Sequence, residues 1–190
     1  ALQNAVCELW FAGNLGHLRR AAVSFAISES GTLEAVNLLG LSKEKTVNVS
    51  TAANSVFAPT KYSKDEDIAI RQRLQLNGKI LLYTGGIEHR KNIERLIEAF
   101  SKSLSTLDDN FQLVIVCSLE LQETMRLQNL CSRLGMSRNR VLFTGFISEP
   151  DLLSLYNLCD AFVFPSFHDC FSLPDFVLMH CCVAVIASNT

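Results

Sequence analysis

From residue 78 onward, short apolar segments alternate regularly with longer segments of helical periodicity. Apolar segments such as LVIVC and VAVIA contain no charged residue, which is typical of strands in a parallel sheet that helices cover on both faces. Between them, apolar residues recur three and four positions apart, as on one face of a helix. This alternation predicts a doubly wound, parallel, Rossmann-like α/β domain. The predicted strands are 79–84, 111–117, 141–144, 161–165 and 183–187, and the predicted helices are 92–104, 120–134, 148–158 and 174–181.

Local signals at the helix ends support these boundaries. Ser148 and Asp151 have the spacing of a capping box, and Pro150 falls in the first turn. Gly135 and Gly40 are expected to end the helices that precede them.

The first 77 residues do not show the regular alternation. They contain two strand-like segments, AVSFAIS and TVNVS, a helical segment over 32–39 and a charged helical segment over 65–74. We therefore expect residues 1–55 to be the tail of a preceding domain, 56–77 a linker, and 78–190 a ligand-binding domain.

Composition excludes several classes of partner. The chain has 190 residues, of which 48% are hydrophobic, and a net charge of −2. These values are typical of a globular protein, and without a basic tract no nucleic-acid partner is expected. No apolar run has membrane-spanning length, and the N-terminus lacks the features of a signal peptide. Among seven cysteines, Cys117, Cys159 and Cys182 lie in apolar segments, which predicts that they pack as small hydrophobes in a reducing, cytoplasmic compartment.

The first candidate site is the turn GGIEHRKN, between the first strand and the first helix of the regular region. Gly85 and Gly86 allow the backbone to turn tightly and to approach a ligand closely. Arg90 and Lys91 place positive charge near a helix N-terminus, which itself favours anions. A diphosphate fits this turn, but the same residues also suit an ordinary turn in which Asn92 caps the helix and both cations are solvated.

The second candidate site is the loop HDCFSLP, before the helix that starts near Pro174. The backbone amides of Ser172 and Leu173 are expected to be unpaired donors at the carboxyl edge of the sheet, where they could hold a second side of the same diphosphate. The alternative is a crossover loop in which Phe171 and Leu173 fill the core.

A metal site is a further alternative in this region. Potential zinc ligands are His168, Cys170, His180, Cys181 and Cys182. Their spacing differs from that of a zinc finger or ribbon, so buried thiols are the favoured interpretation and no metal is expected.

Three segments resemble the family 4 retaining glycosyltransferases, which have the GT-B fold. TGGIEHRKNIERLIEAF resembles the first phosphate-binding turn and helix of their C-terminal, donor-binding domain. RVLFTGFISEPDLLSLYNLCDAFVFPS resembles the central segment of that domain, and FSLPDFVLM followed by VAVIASN resembles the region of its E-x7-E motif. Residues 1–55 resemble the end of the Rossmann-like N-terminal domain, and residues 78–190 resemble an incomplete donor-binding domain. The resemblance therefore implies a chain truncated at both ends, and the isolated chain is expected to be inactive as an enzyme.

The resemblance implies transfer of a sugar from a nucleotide-diphosphate sugar to a glycan or lipid-linked acceptor, as in polysaccharide synthesis. It assigns Lys91 and Arg90 to the diphosphate, and the amides of Ser172 and Leu173 to the phosphates or the sugar. Asp169 takes the place of the first glutamate, which contacts the sugar. No essential metal or cofactor is implied, and peripheral membrane association through an N-terminal domain is possible. The residues implied to flank the nucleobase are Gly145, Phe146 and Ile147.

The sequence departs from the family pattern at several of these positions. The second glutamate, which holds the ribose in the family, is replaced by Val177. Cys170, Ser172 and Cys182 replace glycines, and Gly86 replaces a basic residue that is frequent in the family. These changes leave open a second hypothesis, a degenerate relative that binds a nucleotide or a protein without catalysis. A third hypothesis is another Rossmann-type enzyme, such as a phosphorylase or an epimerase.

Overall fold

The computed structural model describes residues 13–106, 110–169 and 173–189. The chain forms two compact units, which divide between Ala52 and Ala53. Among the described residues, no helix is both long enough and apolar enough to cross a lipid bilayer.

The first unit contains a small parallel sheet. Residues 13–20 are helical (α1), and they are followed by β1 (Ser24–Ala26), α2 (Glu29–Asn37) and β2 (Thr46–Asn48). Phe25 lies opposite Val47 in the parallel pair, and both side chains are exposed. The hydroxyl of Ser28 caps α2 by accepting from the amide of Gly31 at 2.9 Å, so this helix begins earlier than the predicted segment 32–39.

The second unit is a five-stranded parallel sheet with helices on both faces. The strand order is β5-β4-β3-β6-β7, and each neighbouring pair is parallel. This arrangement confirms the predicted doubly wound Rossmann-like fold. The elements are α3 (Lys64–Leu74), β3 (Lys79–Thr84), α4 (Ile93–Ser103), β4 (Phe111–Val116), α5 (Leu121–Arg133), β5 (Val141–Phe143), α6 (Glu149–Leu158), β6 (Ala161–Phe164), α7 (Leu173–His180) and β7 (Ala184–Ala187).

The sheet separates two apolar clusters. Ile80 and Leu82 of β3 face a cluster that includes residues of α6 and α7. Tyr83, next along the strand, faces a cluster formed with α4 and α5. Both faces of the central strand are therefore buried, which is why its sequence is almost continuously apolar.

Segment 56–77, predicted as a linker, contains α3 and packs against α6 within the second unit. Phe57 contacts the first apolar cluster, and its ring lies 5.8 Å from that of Tyr156. The amide of Thr60 donates to Asn157 Oδ1 at 2.7 Å. Arg73 of α3 forms an ion pair with Asp151 of α6 at 2.6 Å.

The helix ends agree with the predictions in part. Gly135 has φ 72° after α5, and Ser148 caps α6 by accepting from the amide of Asp151. The reciprocal half of the predicted capping box is wrong. The Asp151 carboxylate accepts from the Ser148 hydroxyl at 2.8 Å and from Arg73 instead, since aspartate is one methylene shorter than the usual glutamate.

Candidate functional site

A buried tyrosine forms a hydrogen bond to the backbone of the turn after β3. Tyr83 donates from its hydroxyl to the carbonyl of Gly86 at 2.6 Å. Gly85 has φ 148°, and a Cβ at this position would lie 2.8 Å from that hydroxyl. Burial raises the pKa of Tyr83, so the phenol stays protonated and keeps donating. The glycine is therefore needed for its conformation and for the space that it leaves.

Asn92 precedes α4 but does not cap it with its side chain. It has φ 60° and ψ 33°, and its Nδ2 donates to the carbonyl of Pro165, beyond β6, at 3.0 Å. Asn92 is thus the N-cap residue of α4, as in the ordinary-turn alternative, but its side chain makes no capping hydrogen bond. Within the described chain no side chain caps the first turn of α4, and this end of the helix favours an anion.

The two cations of this turn share one carboxylate. Arg90 Nη1 lies 2.9 Å from Asp169 Oδ1, and Lys91 Nζ contacts Asp169 Oδ2. The Asp169 and Lys91 side chains are 15% and 13% exposed, whereas that of Arg90 is 49% exposed. The structure thus brings together three residues that the sequence analysis assigned to one site from two separate motifs.

The charges around Asp169 determine its protonation. Burial by itself raises the pKa of this carboxyl, but the hydrogen bond and charge of Lys91, with the charge of Arg90, outweigh burial and hold the pKa below its ordinary value. Asp169 is therefore ionised at neutral pH, and the cluster carries one net positive charge.

Lys91 is also positioned by contacts that the sequence analysis did not predict. Its Nζ lies 5.0 Å from the centre of the Phe164 ring, a cation–π contact. The amide of Phe167 donates to the carbonyl of Arg90 at 2.8 Å, which joins the turn after β3 to the segment after β6. The only sequence signal for these contacts was that both segments end strands of one parallel sheet.

An apolar groove with a volume of about 290 Å³ lies at the carboxyl edge of the same sheet. It meets the cation turn at β3, where Thr84 and Gly85 line the groove. We call it the edge groove. Its lining residues are Thr84, Gly85, Val116, Cys117, Ser118, Gly145, Phe146, Ile147, Leu152, Tyr156 and Pro174.

Three residues predicted to flank a nucleobase line one wall of the edge groove. Gly145 has φ 71° and leaves the space beside its α-carbon open. Phe146 is 89% exposed, while Ile147 packs against the first apolar cluster. An exposed aromatic ring beside an apolar wall suits a planar ligand.

The floor of the edge groove is neutral. Burial raises the pKa of Cys117 to about 11, so its thiol is protonated at neutral pH. Tyr156 and Thr84 are joined through their hydroxyls at 3.3 Å, and burial raises the pKa of Tyr156. Positive charge is therefore confined to the Arg90 and Lys91 side of the site.

The sequence of the chain matches a known protein family. The family described as "Glycosyl transferases group 1" matches residues 64–190. The chain belongs to this family.

Relatives of this chain include two kinds of bacterial mannosyltransferase. It is 34% identical over 180 residues to the "Serotype-specific mannosyltransferase WbdA" of Escherichia coli, a match that covers 95% of this chain and 22% of the relative. It is 29% identical to the "O-antigen chain mannosyltransferase B" of Escherichia coli, covering 90% of this chain and 44% of the relative. The chain thus spans about a fifth of the length of the first relative.

Solved structures of similar fold confirm the predicted GT-B fold. Anabaena Alr3699/HepE, solved in complex with UDP and glucose, has a TM-score of 0.80 at 20% identity, and the match covers 94% of this chain and 48% of that one. WaaG, a glycosyltransferase involved in lipopolysaccharide biosynthesis, has a TM-score of 0.73 at 16% identity, with 90% and 47% covered.

Other predicted site positions lie around α7. Val177 is 5% exposed and belongs to the first apolar cluster. The helix begins at Leu173, whereas Ser172, Phe171 and Cys170 lie outside the described residues. The predicted phosphate contacts of Ser172 and Leu173 therefore remain predictions.

Cys182 differs from the prediction made for it. It is exposed, not packed as a small hydrophobe, and has φ 61° immediately after α7. Cys117 and Cys159 are buried as predicted.

The described part of the chain contains no group of three or more His, Cys, Asp or Glu side chains that could hold a metal ion. Cys170, one of the candidate ligands in the sequence, is outside that part.

Proposed function

We propose that this group 1 glycosyl transferase binds a nucleoside diphosphate sugar at the carboxyl edge of its larger sheet and transfers the sugar to a glycan acceptor with retention. The cation pair, Arg90 and Lys91, carries this proposal. The pair stands at the uncapped N-terminus of α4, where two sources of positive potential meet.

The edge groove supports a nucleoside beside the diphosphate. Its wall at Gly145, Phe146 and Ile147 is apolar, and its floor is neutral. A base in the groove places its diphosphate toward the turn after Gly85, because Gly85 belongs to both features. HepE, a protein of similar fold, has been solved with UDP and glucose.

The sugar that we propose is a hexose, with mannose as the first candidate. The relatives named above are mannosyltransferases, and one of them is named for the O-antigen chain. A glycan acceptor, free or linked to a lipid, follows from the same names. We also propose that the chain acts in the cytoplasm, since buried free thiols such as Cys159 suit a reducing compartment.

Charge development explains the need for the cation pair. When the bond between the sugar and the diphosphate breaks, the diphosphate keeps both electrons and its negative charge grows. Lys91 and Arg90 can stabilise that charge more strongly in this partly buried position than in water. In this proposal protein cations do the work of a metal ion, and none is required.

Calorimetric titration tests the donor site directly. The 190-residue chain is titrated with UDP, GDP, UDP-glucose and GDP-mannose, and Lys91→Ala is expected to weaken binding by roughly tenfold or more, the value of one charge-assisted hydrogen bond. Lys79→Ala is a matched control, because Lys79 also forms a cation–π contact, 5.2 Å from the Phe111 ring, but lies at the other end of β3.

Equal effects of the two lysine substitutions would contradict the proposed donor site. The same outcome would follow if no nucleotide bound the unaltered chain.

A further inference from the structure

The cation pair already holds an anion in this structure. The Asp169 carboxylate uses one oxygen for Arg90, at 2.9 Å, and the other for Lys91. Carboxylate and phosphate oxygens accept charge-assisted hydrogen bonds from the same donors. Asp169 therefore occupies the hydrogen-bonding positions that the proposed function assigns to the diphosphate of the donor.

The Lys91 side chain and the backbone of Arg90 are also held by contacts that do not involve Asp169. The Lys91 side chain is 13% exposed and its Nζ lies over the Phe164 ring. The carbonyl of Arg90 accepts from the amide of Phe167, which anchors the backbone beside it. Exchange of one anion for another can therefore occur without rebuilding the turn.

We propose that Asp169 is an internal counter-ion that competes with the donor diphosphate for Arg90 and Lys91. The inference rests on the proposed function and adds a role for Asp169 other than contact with the sugar. The diphosphate has to displace this carboxylate or share the two cations with it, so Asp169 weakens binding of the donor and of the nucleoside diphosphate product. When the product leaves, the carboxylate returns to the cations.

A charge-removing variant tests the competition. Asp169→Asn keeps the size of the side chain but removes the negative charge, and we expect it to bind UDP or GDP roughly tenfold more tightly than the unaltered chain. Affinity for uridine or guanosine, which carry no phosphate, is expected to stay unchanged. A merely structural role for Asp169 would not separate the two kinds of ligand in this way.

Asp67→Asn is the matched control, because Asp67 pairs with Arg71 at 2.8 Å on α3 and its removal changes the net charge equally. It is expected to leave affinity for the diphosphate unchanged. Binding of the diphosphate by the unaltered chain, with no gain in Asp169→Asn, would overturn this inference alone. No binding by either protein would overturn the proposed function and this inference with it.

A second measurement covers the case in which Asp169→Asn does not fold. Arg90→Gln alters a side chain that is 49% exposed, so the fold is expected to tolerate it. If Asp169 competes, it neutralises the one remaining cation, and affinity for the diphosphate falls by more than about 100-fold. A loss of only about tenfold, the value of one lost hydrogen bond, would contradict competition.

Discussion

The side chain of Asn92 donates from Nδ2 to the main-chain carbonyl of Pro165 at 3.0 Å, across a sequence separation of 73 residues. This bond joins the turn after β3 to the segment after β6. A second bond, from the amide of Phe167 to the carbonyl of Arg90, joins the same two segments. Together they fix the backbone that carries Arg90 and Lys91 against the segment that leads to Asp169.

Substitutions at Asn92 separate its hydrogen bond from its backbone conformation. Asn92→Gly removes the bond and leaves φ 60° unstrained, so we expect a loss of at most about 1 kcal/mol in the free energy of unfolding. Asn92→Ala removes the same bond but keeps a Cβ in the left-handed region, which alanine tolerates less well than asparagine or glycine, so its loss is expected to be about 1 kcal/mol larger. Urea denaturation measures both losses, and equal losses would show that backbone strain contributes nothing.

The contact between Tyr83 and the glycine turn can be tested with a double-mutant cycle. Gly85→Ala is expected to lower the free energy of unfolding by about 2–3 kcal/mol, because its Cβ would lie 2.8 Å from the Tyr83 hydroxyl. Tyr83→Phe is expected to cost about 1–2 kcal/mol, since the carbonyl of Gly86 loses its donor.

The double variant should lose about 1 kcal/mol less than the sum, because Tyr83→Phe removes the clashing oxygen. Urea denaturation of the four proteins gives the coupling energy. Strict additivity would mean that the overlap is relieved by movement of another group.

Replacing Cys182 with glycine is expected to stabilise the chain. Cys182 has φ 61° after α7, and its amide donates to the carbonyl of Met179 at 3.0 Å, while that of Val183 donates to Leu178 at 3.0 Å. These two bonds form a Schellman motif, in which glycine is the preferred residue. Cys182→Gly should raise the free energy of unfolding by about 1 kcal/mol.

Cys182→Ala is the control, since it removes the thiol and keeps the Cβ. Thermal and urea denaturation should show almost no change for alanine. An equal gain for both variants would assign the effect to the thiol and not to the backbone.

Restoring a glutamate at position 177 is expected to destabilise the chain. Val177 is 5% exposed within the first apolar cluster. A carboxylate placed there is desolvated, which is expected to lower the free energy of unfolding by about 2–4 kcal/mol. Met179→Glu, on the same helix at a side chain 63% exposed, should change stability by less than about 0.5 kcal/mol. Similar melting temperatures for the two variants would show that a glutamate at 177 reaches solvent.

The fold of the larger unit was predictable because its physical signal is local. Strands such as Phe111–Val116 are apolar apart from Gln112, and helices such as Ile93–Ser103 have one apolar face. Burial on both faces of a parallel sheet imposes this pattern directly on the sequence. The ends of the helices were less predictable, because the capping partner of a residue such as Asp151 also depends on Arg73, far away in the chain.

The candidate site was predictable as a set of residues but not as a set of contacts. Lys91, Arg90 and Asp169 were identified from separate motifs. Their ion pairs, and the ring of Phe164 beneath Lys91, depend on how β3 and β6 align in the sheet. Neither periodicity nor turn chemistry specifies this alignment, because it is determined by long-range packing.

The position of β3 in the sheet also determines when this site can form during synthesis. One neighbour of β3 is β4, the next strand along the chain, and the other is β6, which pairs Leu81 with Ala161. During synthesis, Arg90 and Lys91 leave the ribosome long before Asp169 does, because they lie earlier in the sequence. During this interval the two cations lack the Asp169 carboxylate, and the complete site appears only after β6 has inserted beside β3. The nucleotide of the proposed function would therefore meet a complete site only after β6 has paired with β3, and it could not guide the first half of the folding process.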